Sequence, residues 1–448
     1  MASLTRSADH GLASLKVQTR TLANGLRLFA ARLPHVQRAV VSAQLNVGPQ
    51  FESRFTHGLS HFLEHMLYRG TATHPSAQAL VGAIEGRGGY LDAMTYADHG
   101  VLSLSAPNES LLELVPIFAE VFQQPRLGAG DPESIEIERG IVREELLEEL
   151  DARDRQVEPD NLVRQLVFGD HALGRSITGR LANLERFDSA RLHAHHALHY
   201  RAKNAVAGIV SALPPGRALD ALERAFRALP GGEALRPPRL DQPSVKPWLH
   251  VPHEVSQTSI RLCFLGVPAS HRLEPATQLL LRTLDDGMST RLYARLCDEL
   301  GLCYEVSAQF EAYRSAGLLD LAADTQHKKL RVVVGELIAV VQELRKRGPS
   351  AEELELAKRR HTWQLATSLE SAEDLAELLG FDLLCQGALP ERPLAARQAA
   401  LNDVSLRSVR AAARVNFAPS HSGLVTVGQL GRGDRGEIQR VLEDFRGS

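Results

Sequence analysis

The stretch from Gly58 to Thr71, GLSHFLEHMLYRGT, constrains this 448-residue chain more than any other. Wound at about 100° per residue, it sets Leu59, Phe62, Leu63, Met66 and Leu67 on one apolar stripe. His61, Glu64, His65 and Tyr68 fall at the same spacings on the opposite side. Gly70 stands where a helix usually stops. Such a helix buries one face and presents two imidazoles and a carboxylate on the other. Two histidines four residues apart can reach one metal ion, and a Glu beside them can hold a water without being a ligand. That is the chemistry of a zinc peptidase. The order His61-Phe62-Leu63-Glu64-His65 is H-x-x-E-H, the inverse of the commoner H-E-x-x-H. The plain alternative is a surface helix whose polar face happens to carry histidine.

Zinc needs a third protein ligand. Asp131-Pro132-Glu133 opens a second helix with an N-cap, a proline at the first position and an acid in the first turn. It continues as ESIEIERGIVREELLEELDARDR, in which Glu138 and Glu145 are seven apart and share a face. Alone, this reads better as a solvated acidic face. HFLEHMLYRGT followed by ERGIVREEL, however, resembles the pitrilysin family of inverted-motif zinc peptidases, most of all the short members related to mitochondrial processing peptidase. The resemblance implies that Glu145, last in the pattern E-R-x-x-V-x-x-E, is the third zinc ligand. It implies that Glu138 is a carboxylate orienting one of the ligands. The 79 residues between His65 and Glu145 (66–144) exceed the family spacing, which keeps Glu144 as a rival.

The family is built as two similar domains, so the implied fold is α+β, each domain a mainly antiparallel sheet packed with helices. The length itself favours two cores. Leu229–Pro247, LPGGEALRPPRLDQPSVKP, is rich in Pro and Gly and reads as a linker. The expected division is a zinc-bearing domain over 17–228, the linker over 229–247 and an inactive copy over 248–448. TSIRLCFLG (258–266) faintly echoes AVVSAQLNV (39–47), and no H-x-x-E-H recurs in the second half.

Further elements can be placed along the chain. Asn24-Gly25 within 17–32 marks a hairpin, and a strand over 39–47 leads through GPQFE into the motif helix. GRGGYLDAMT (86–95) turns into a strand, with 101–106 as its partner. In relatives the equivalent strand lies beside the metal and pairs with substrate edge to edge. Asp92 stands where the family usually has Asn, as a substrate-binding position or an ordinary edge residue. RLHAHHALHY carries His195 and His199 on one face; with no carboxylate among them, a solvated or interface helix is the better reading than a metal site. STRLYARLCDELGLCYEVSA resembles the family stretch whose Arg and Tyr grip substrate. The Tyr is Tyr304, but Cys297 occupies the Arg position and Arg295 is two residues off.

A net charge of −3 and 44% hydrophobic residues give no electrostatic reason to expect nucleic acid or an anionic membrane as partner. The four scattered cysteines suggest a reducing compartment. The first 18 residues contain no apolar run suited to a signal peptide or span, so a cytoplasmic protein is expected. The expected function is a Zn²⁺-dependent endopeptidase. His61, His65 and Glu145 would be its ligands, Glu64 its general base, and Asp92 and Tyr304 would contact substrate. The missing Arg points to a homologous partner subunit in a heterodimer, with a homodimer as the other arrangement. The rival is a scaffold subunit that does no chemistry.

Overall fold

The computed structural model describes residues 11–241 and 245–448. The start of the N-terminal stretch and residues 242–244 of the expected linker lie outside the described residues. The chain forms two compact units, and both are discontinuous in sequence. One comprises Met1–Leu146, Ser176–Pro237 and Thr362–Gln398; the other comprises Leu147–Arg175, Pro238–His361 and Ala399–Ser448. The expected division into consecutive stretches therefore differs from the division in space. Each unit takes one segment from the part of the chain that otherwise builds the other.

The first unit holds a six-stranded sheet of β1 (Val17–Thr21), β2 (Arg27–Arg32), β3 (Arg38–Leu45), β4 (Tyr90–Thr95), β5 (Gly100–Pro107) and β6 (Ala205–Ser211). Their order is β1-β2-β6-β3-β5-β4, antiparallel except for the parallel β2–β6 pair. The β1–β2 hairpin turns where the Asn-Gly signal placed it. Gly25 adopts φ 92° there, and the Asn24 amide holds the carbonyls of Phe226 and Leu229. Strand alternation sorts β3 between two layers. Ala39, Val41, Ala43 and Leu45 enter a core shared with the motif helix Leu59–Met66 and the helices Leu111–Gln123 and Pro215–Phe226. Val40, Ser42 and Gln44 face the other way, where helix Ala372–Gln386 packs on β3 and β6. Gln44 Nε2 donates to the Glu377 carbonyl at 2.8 Å across that layer.

The second unit holds β7 (Trp248–Pro252), β8 (Thr258–Gly266), β9 (Val306–Ala312), β10 (Gly317–Thr325) and β11 (Ser422–Gly428), in the order β7-β11-β8-β10-β9. Only β7–β11 is parallel. Without β1, the first sheet reads β2-β6-β3-β5-β4, with its parallel pair in the same place. The two sheets thus have one topology, and the faint echo between 39–47 and 258–266 falls on the corresponding strands β3 and β8. The fold is α+β, a duplicated sheet-and-helix unit. No helix among the described residues is long and apolar enough to cross a membrane.

Helix Ser189–His199 corrects the sequence reading, which placed it against solvent or a partner. His195 and His199 are buried in the first unit. His195 Nε2 lies 3.0 Å from the Ser60 hydroxyl on the motif helix, and His199 Nδ1 lies 2.8 Å from the Asn46 carbonyl. His196 Nε2 lies 2.8 Å from the Phe122 carbonyl. His195 thereby braces the motif helix from behind. Burial pushes the pKa of His196 and of His199 down to about 4, against about 6.5 in an unfolded chain. The folded state therefore binds fewer protons than the unfolded state below about pH 6.5. The stabilisation is complete above that pH and is lost as pH falls towards about 4, on the order of 3 kcal/mol for the fully buried His199. The melting temperature is expected to fall steeply from pH 6.5 to 4, and less steeply in His196→Gln. A flat profile, or one unchanged by that substitution, would show that these rings do not carry the acid sensitivity.

Candidate metal centre

The motif helix carries its apolar stripe into the core, with Leu59, Phe62, Leu63 and Met66 all buried. Its first turn is fixed by a residue well outside it. The buried Glu52 carboxylate accepts the Gly58 N–H at 2.8 Å and the Ser60 N–H at 2.7 Å. A negative group there satisfies orphan donors and complements the helix dipole. Gly58 has φ 96°, and a Cβ on it would meet the Gly179 backbone at 2.8 Å, so only glycine serves.

The opposite face gathers the titratable groups. Helix Pro132–Glu148 brings Glu145 over the two imidazoles. Glu145 Oε2 lies 3.5 Å from His61 Nε2 and 3.6 Å from His65 Nε2, and the ligand atoms of all three residues fall within 4.8 Å of one another. Glu144 is exposed and outside this group. Separations of 3.5–3.6 Å are too long for good hydrogen bonds. They match the ligand–ligand edge of about 3.3–3.6 Å that a tetrahedral ion has when bound at roughly 2.0–2.2 Å. Two imidazoles and a carboxylate so placed fit a zinc ion. This is the one such group of metal-ligating side chains among the described residues.

Surrounding contacts set the state of each group. Glu138 faces His65 Nδ1 at 3.2 Å and also takes Arg69 Nε, so the His65 tautomer that donates to Glu138 leaves Nε2 free to ligate. Burial opposes charge on His65, but the Glu138 bond together with the charges of Glu145, Glu138 and Glu64 outweighs it, so the pKa rises. Burial also opposes charge on Glu138, and His65 with Arg69 outweighs that, so its pKa falls. His61 lacks such support: Nδ1 is buried without a hydrogen-bond partner. Burial, reinforced by His65, pulls the His61 pKa down to about 3 and keeps the ring in the neutral form that ligates. Glu64 is pushed up to about 7 by burial, although its Oε2 accepts the Thr95 hydroxyl at 2.6 Å, which works the other way. Tyr68 is half-buried, and burial raises its phenol.

Asp92 is exposed on β4, the edge strand of its sheet, with Tyr90 and Met94 pointing to the same side. Tyr304 belongs to the second unit, where its side chain is 91% exposed in the approach to β9, and Cys297 lies in a short π-helix, Tyr293–Glu299. Arg295 is held by Glu336 at 2.8 Å and Glu299 at 2.9 Å. Glu52, Arg69 and Thr95 were not assigned these contacts from sequence. Glu52 lies in the G-x-x-x-E stretch and Thr95 ends the edge strand, but hydrogen bonds to a helix 6 to 31 residues away leave no periodic trace.

An α+β duplication with an inverted H-x-x-E-H helix and a distant third acid defines the class, that of inverted-motif peptidases. The family model described as insulinase (peptidase family M16) matches residues 28–180, and that described as peptidase M16 inactive domain matches residues 186–360. The chain belongs to peptidase family M16. A Bacillus subtilis protein named as an uncharacterized zinc protease is 25% identical over 407 residues, 91% of this chain and 97% of the relative. One from Rickettsia felis, also named as an uncharacterized zinc protease, is 27% identical over 322 residues, 70% of this chain and 75% of the relative. Among solved structures, a peptidase M16 inactive domain from Pseudomonas fluorescens superposes with a TM-score of 0.82 at 23% identity, covering 93% of this chain and 98% of that one. A Helicobacter pylori protease gives 0.79 at 19% identity, covering 93% and 100%.

Protein purified without chelator is expected to carry one zinc per chain by elemental analysis. Glu145→Ala should lose it and Glu144→Ala should keep it. Glu138→Gln should weaken affinity about 10–100-fold in competition with a chromophoric chelator. Zinc lost from Glu144→Ala but kept in Glu145→Ala would reverse the ligand assignment.

Proposed function

We propose that this chain is a zinc-dependent endopeptidase that hydrolyses peptides or unfolded segments. The observation that carries this reading is the convergence of His61 Nε2, His65 Nε2 and the Glu145 carboxylate, with Glu64 on the same helix face. His61, His65 and Glu145 would hold the ion, and Glu138 would orient His65. Bound there, zinc supplies a Lewis acid that polarises the peptide carbonyl and brings the pKa of a water down to about 7.

The remaining chemistry belongs to side chains of this protein. Glu64 takes a proton from the attacking water and returns it to the leaving amine as the C–N bond breaks, a contribution of typically ~10²–10⁴-fold. A carboxyl whose pKa is about 7 exchanges a proton readily in either direction near neutral pH. Thr95 ties down Oε2 of Glu64, which leaves Oε1 for the water. The free edge of β4 offers backbone groups to an extended substrate.

The proposal also gives part of the substrate grip to an unlike partner subunit. Supporting this, Cys297 occupies the expected Arg position, Arg295 is already engaged by two carboxylates, and Tyr304 stands exposed. Peptide cleavage by the chain alone should be slow and should rise when an Arg-bearing homologue is co-expressed. Equal rates would remove the partner from the proposal.

Glu64→Gln tests the core of the reading. It is expected to keep its zinc and to lose about 10²–10⁴-fold in kcat against a peptide library. Full activity in this variant, or loss of the metal, would contradict the role given to Glu64.

A further inference from the structure

One residue just past the motif helix ties the two ligand-bearing helices of the first unit together. Leu67–Arg69 continues the motif helix as a single 3-10 turn. The chain beyond it is pinned to the segment that leads into helix Pro132–Glu148. The Gly70 carbonyl accepts the Arg126 N–H at 3.0 Å, and Thr71 bridges to Pro125. Arg69 therefore leaves a fixed stretch of backbone, and its guanidinium meets Glu138 on that second helix.

The Glu138 carboxylate divides its two oxygens between two partners. Oε1 accepts Arg69 Nε, and Oε2 faces His65 Nδ1 at 3.2 Å. The Arg69 and Glu138 side chains are 20% and 7% exposed, so the pair is shielded from the screening that weakens surface ion pairs. A carboxylate that met His65 alone could turn about its own axis and lose the ring. A directed N–H on the other oxygen holds its plane. The second imidazole has no such brace, since His61 Nδ1 is buried without a hydrogen-bond partner. Of the two histidine ligands, one is oriented through its far nitrogen and one is not, and the oriented one depends on a carboxylate that Arg69 holds.

We propose that Arg69 is a positioning residue of the metal centre, acting on zinc affinity through Glu138 and His65. The inference rests on the zinc reading given above and extends it to a residue that touches no ligand. Arg69 belongs to the motif segment, and Glu138 to the helix that carries Glu145 about two turns further on. The contact that orients His65 therefore also fixes where Glu145 comes to lie along the motif helix. One guanidinium sets two of the three ligands, the first by ring orientation and the second by the register of a helix. The plain alternative is an ion pair that only holds two helices together.

Competition with a chromophoric chelator separates the two. Arg69→Gln is expected to bind zinc about tenfold more weakly, as loss of an outer partner gives. Arg69→Lys keeps the charge but loses the directed Nε–H, and should fall between Arg69→Gln and the unsubstituted protein. In a Glu138→Gln background, Arg69→Gln should change affinity by less than about twofold, because the path runs through that carboxylate. Arg143→Gln, on the same helix, removes only the exposed pair with Glu185 and should stay within about twofold of the unsubstituted protein. The visible absorption bands of cobalt-loaded Arg69→Gln should shift, which a loss of stability alone does not produce. Unchanged affinity and spectrum in Arg69→Gln, or losses that add in full in the double variant, would overturn the proposal and leave the zinc reading standing. Should Arg69→Gln fail to fold, an Arg69→Lys affinity equal to that of the unsubstituted protein would overturn it instead. If the unsubstituted protein itself takes up no zinc, the zinc reading falls and this inference with it.

Discussion

Burying five apolar side chains on one side of the motif helix aims His61, Glu64 and His65 on the other, and the rest of the first unit keeps that aim fixed. Leu59, Phe62, Leu63 and Met66 anchor the helix against the sheet, with Leu67 just beyond it. The Glu52 carboxylate caps its first turn, and His195 reaches Ser60 from behind. Helix Pro132–Glu148 then adds Glu145 above the imidazoles and Glu138 beside His65. The three ligand atoms approach one another without hydrogen bonding, so the space they define is held open by the supporting contacts rather than by each other. Deleting a support is thus expected to weaken the site, though by less than deleting a ligand.

Much of this was legible in the sequence because it depends on short-range periodicity. The amphipathic spacing of 59–67 gave the motif helix and Asn24-Gly25 gave the hairpin, while the family pattern E-R-x-x-V-x-x-E pointed to Glu145 and left Glu144 as a rival. The illegible part depends on distant contacts. Nothing in the apolar spacing of DLAELLG (374–380) says that helix Ala372–Gln386 covers β3 and β6, nor that helix Pro159–Phe168 packs on β8 and β11 of the second unit. That reciprocal arrangement makes both units discontinuous. His195 and His199 looked solvated because imidazole is polar, yet one ring nitrogen of each, and one of His196, meets a hydroxyl or carbonyl. Burial of a polar group is decided by its partner, which lies far away in sequence.

The matching strand orders of the two sheets give physical content to the faint echo between 39–47 and 258–266. A common topology carries two outcomes. The first unit follows β3 with the H-x-x-E-H helix, while the second follows β8 with helix Glu274–Leu284, which has no such motif. The same scaffold therefore bears a ligand set in one copy and none among the described residues of the other. Topology is fixed by sheet pairing and core packing, whereas the candidate metal centre needs only three ligating side chains at the right turns of two helices, so the second can be absent while the first persists.

The central claim is that one transition-metal ion belongs among His61, His65 and Glu145. Crystals grown from protein never exposed to chelator, with diffraction measured on both sides of the zinc absorption edge, test it most directly. The account expects one anomalous peak within ligand distance of His61 Nε2, His65 Nε2 and the Glu145 carboxylate, present above the edge and diminished below it. No peak there, even after zinc is supplied to the crystals, would contradict it.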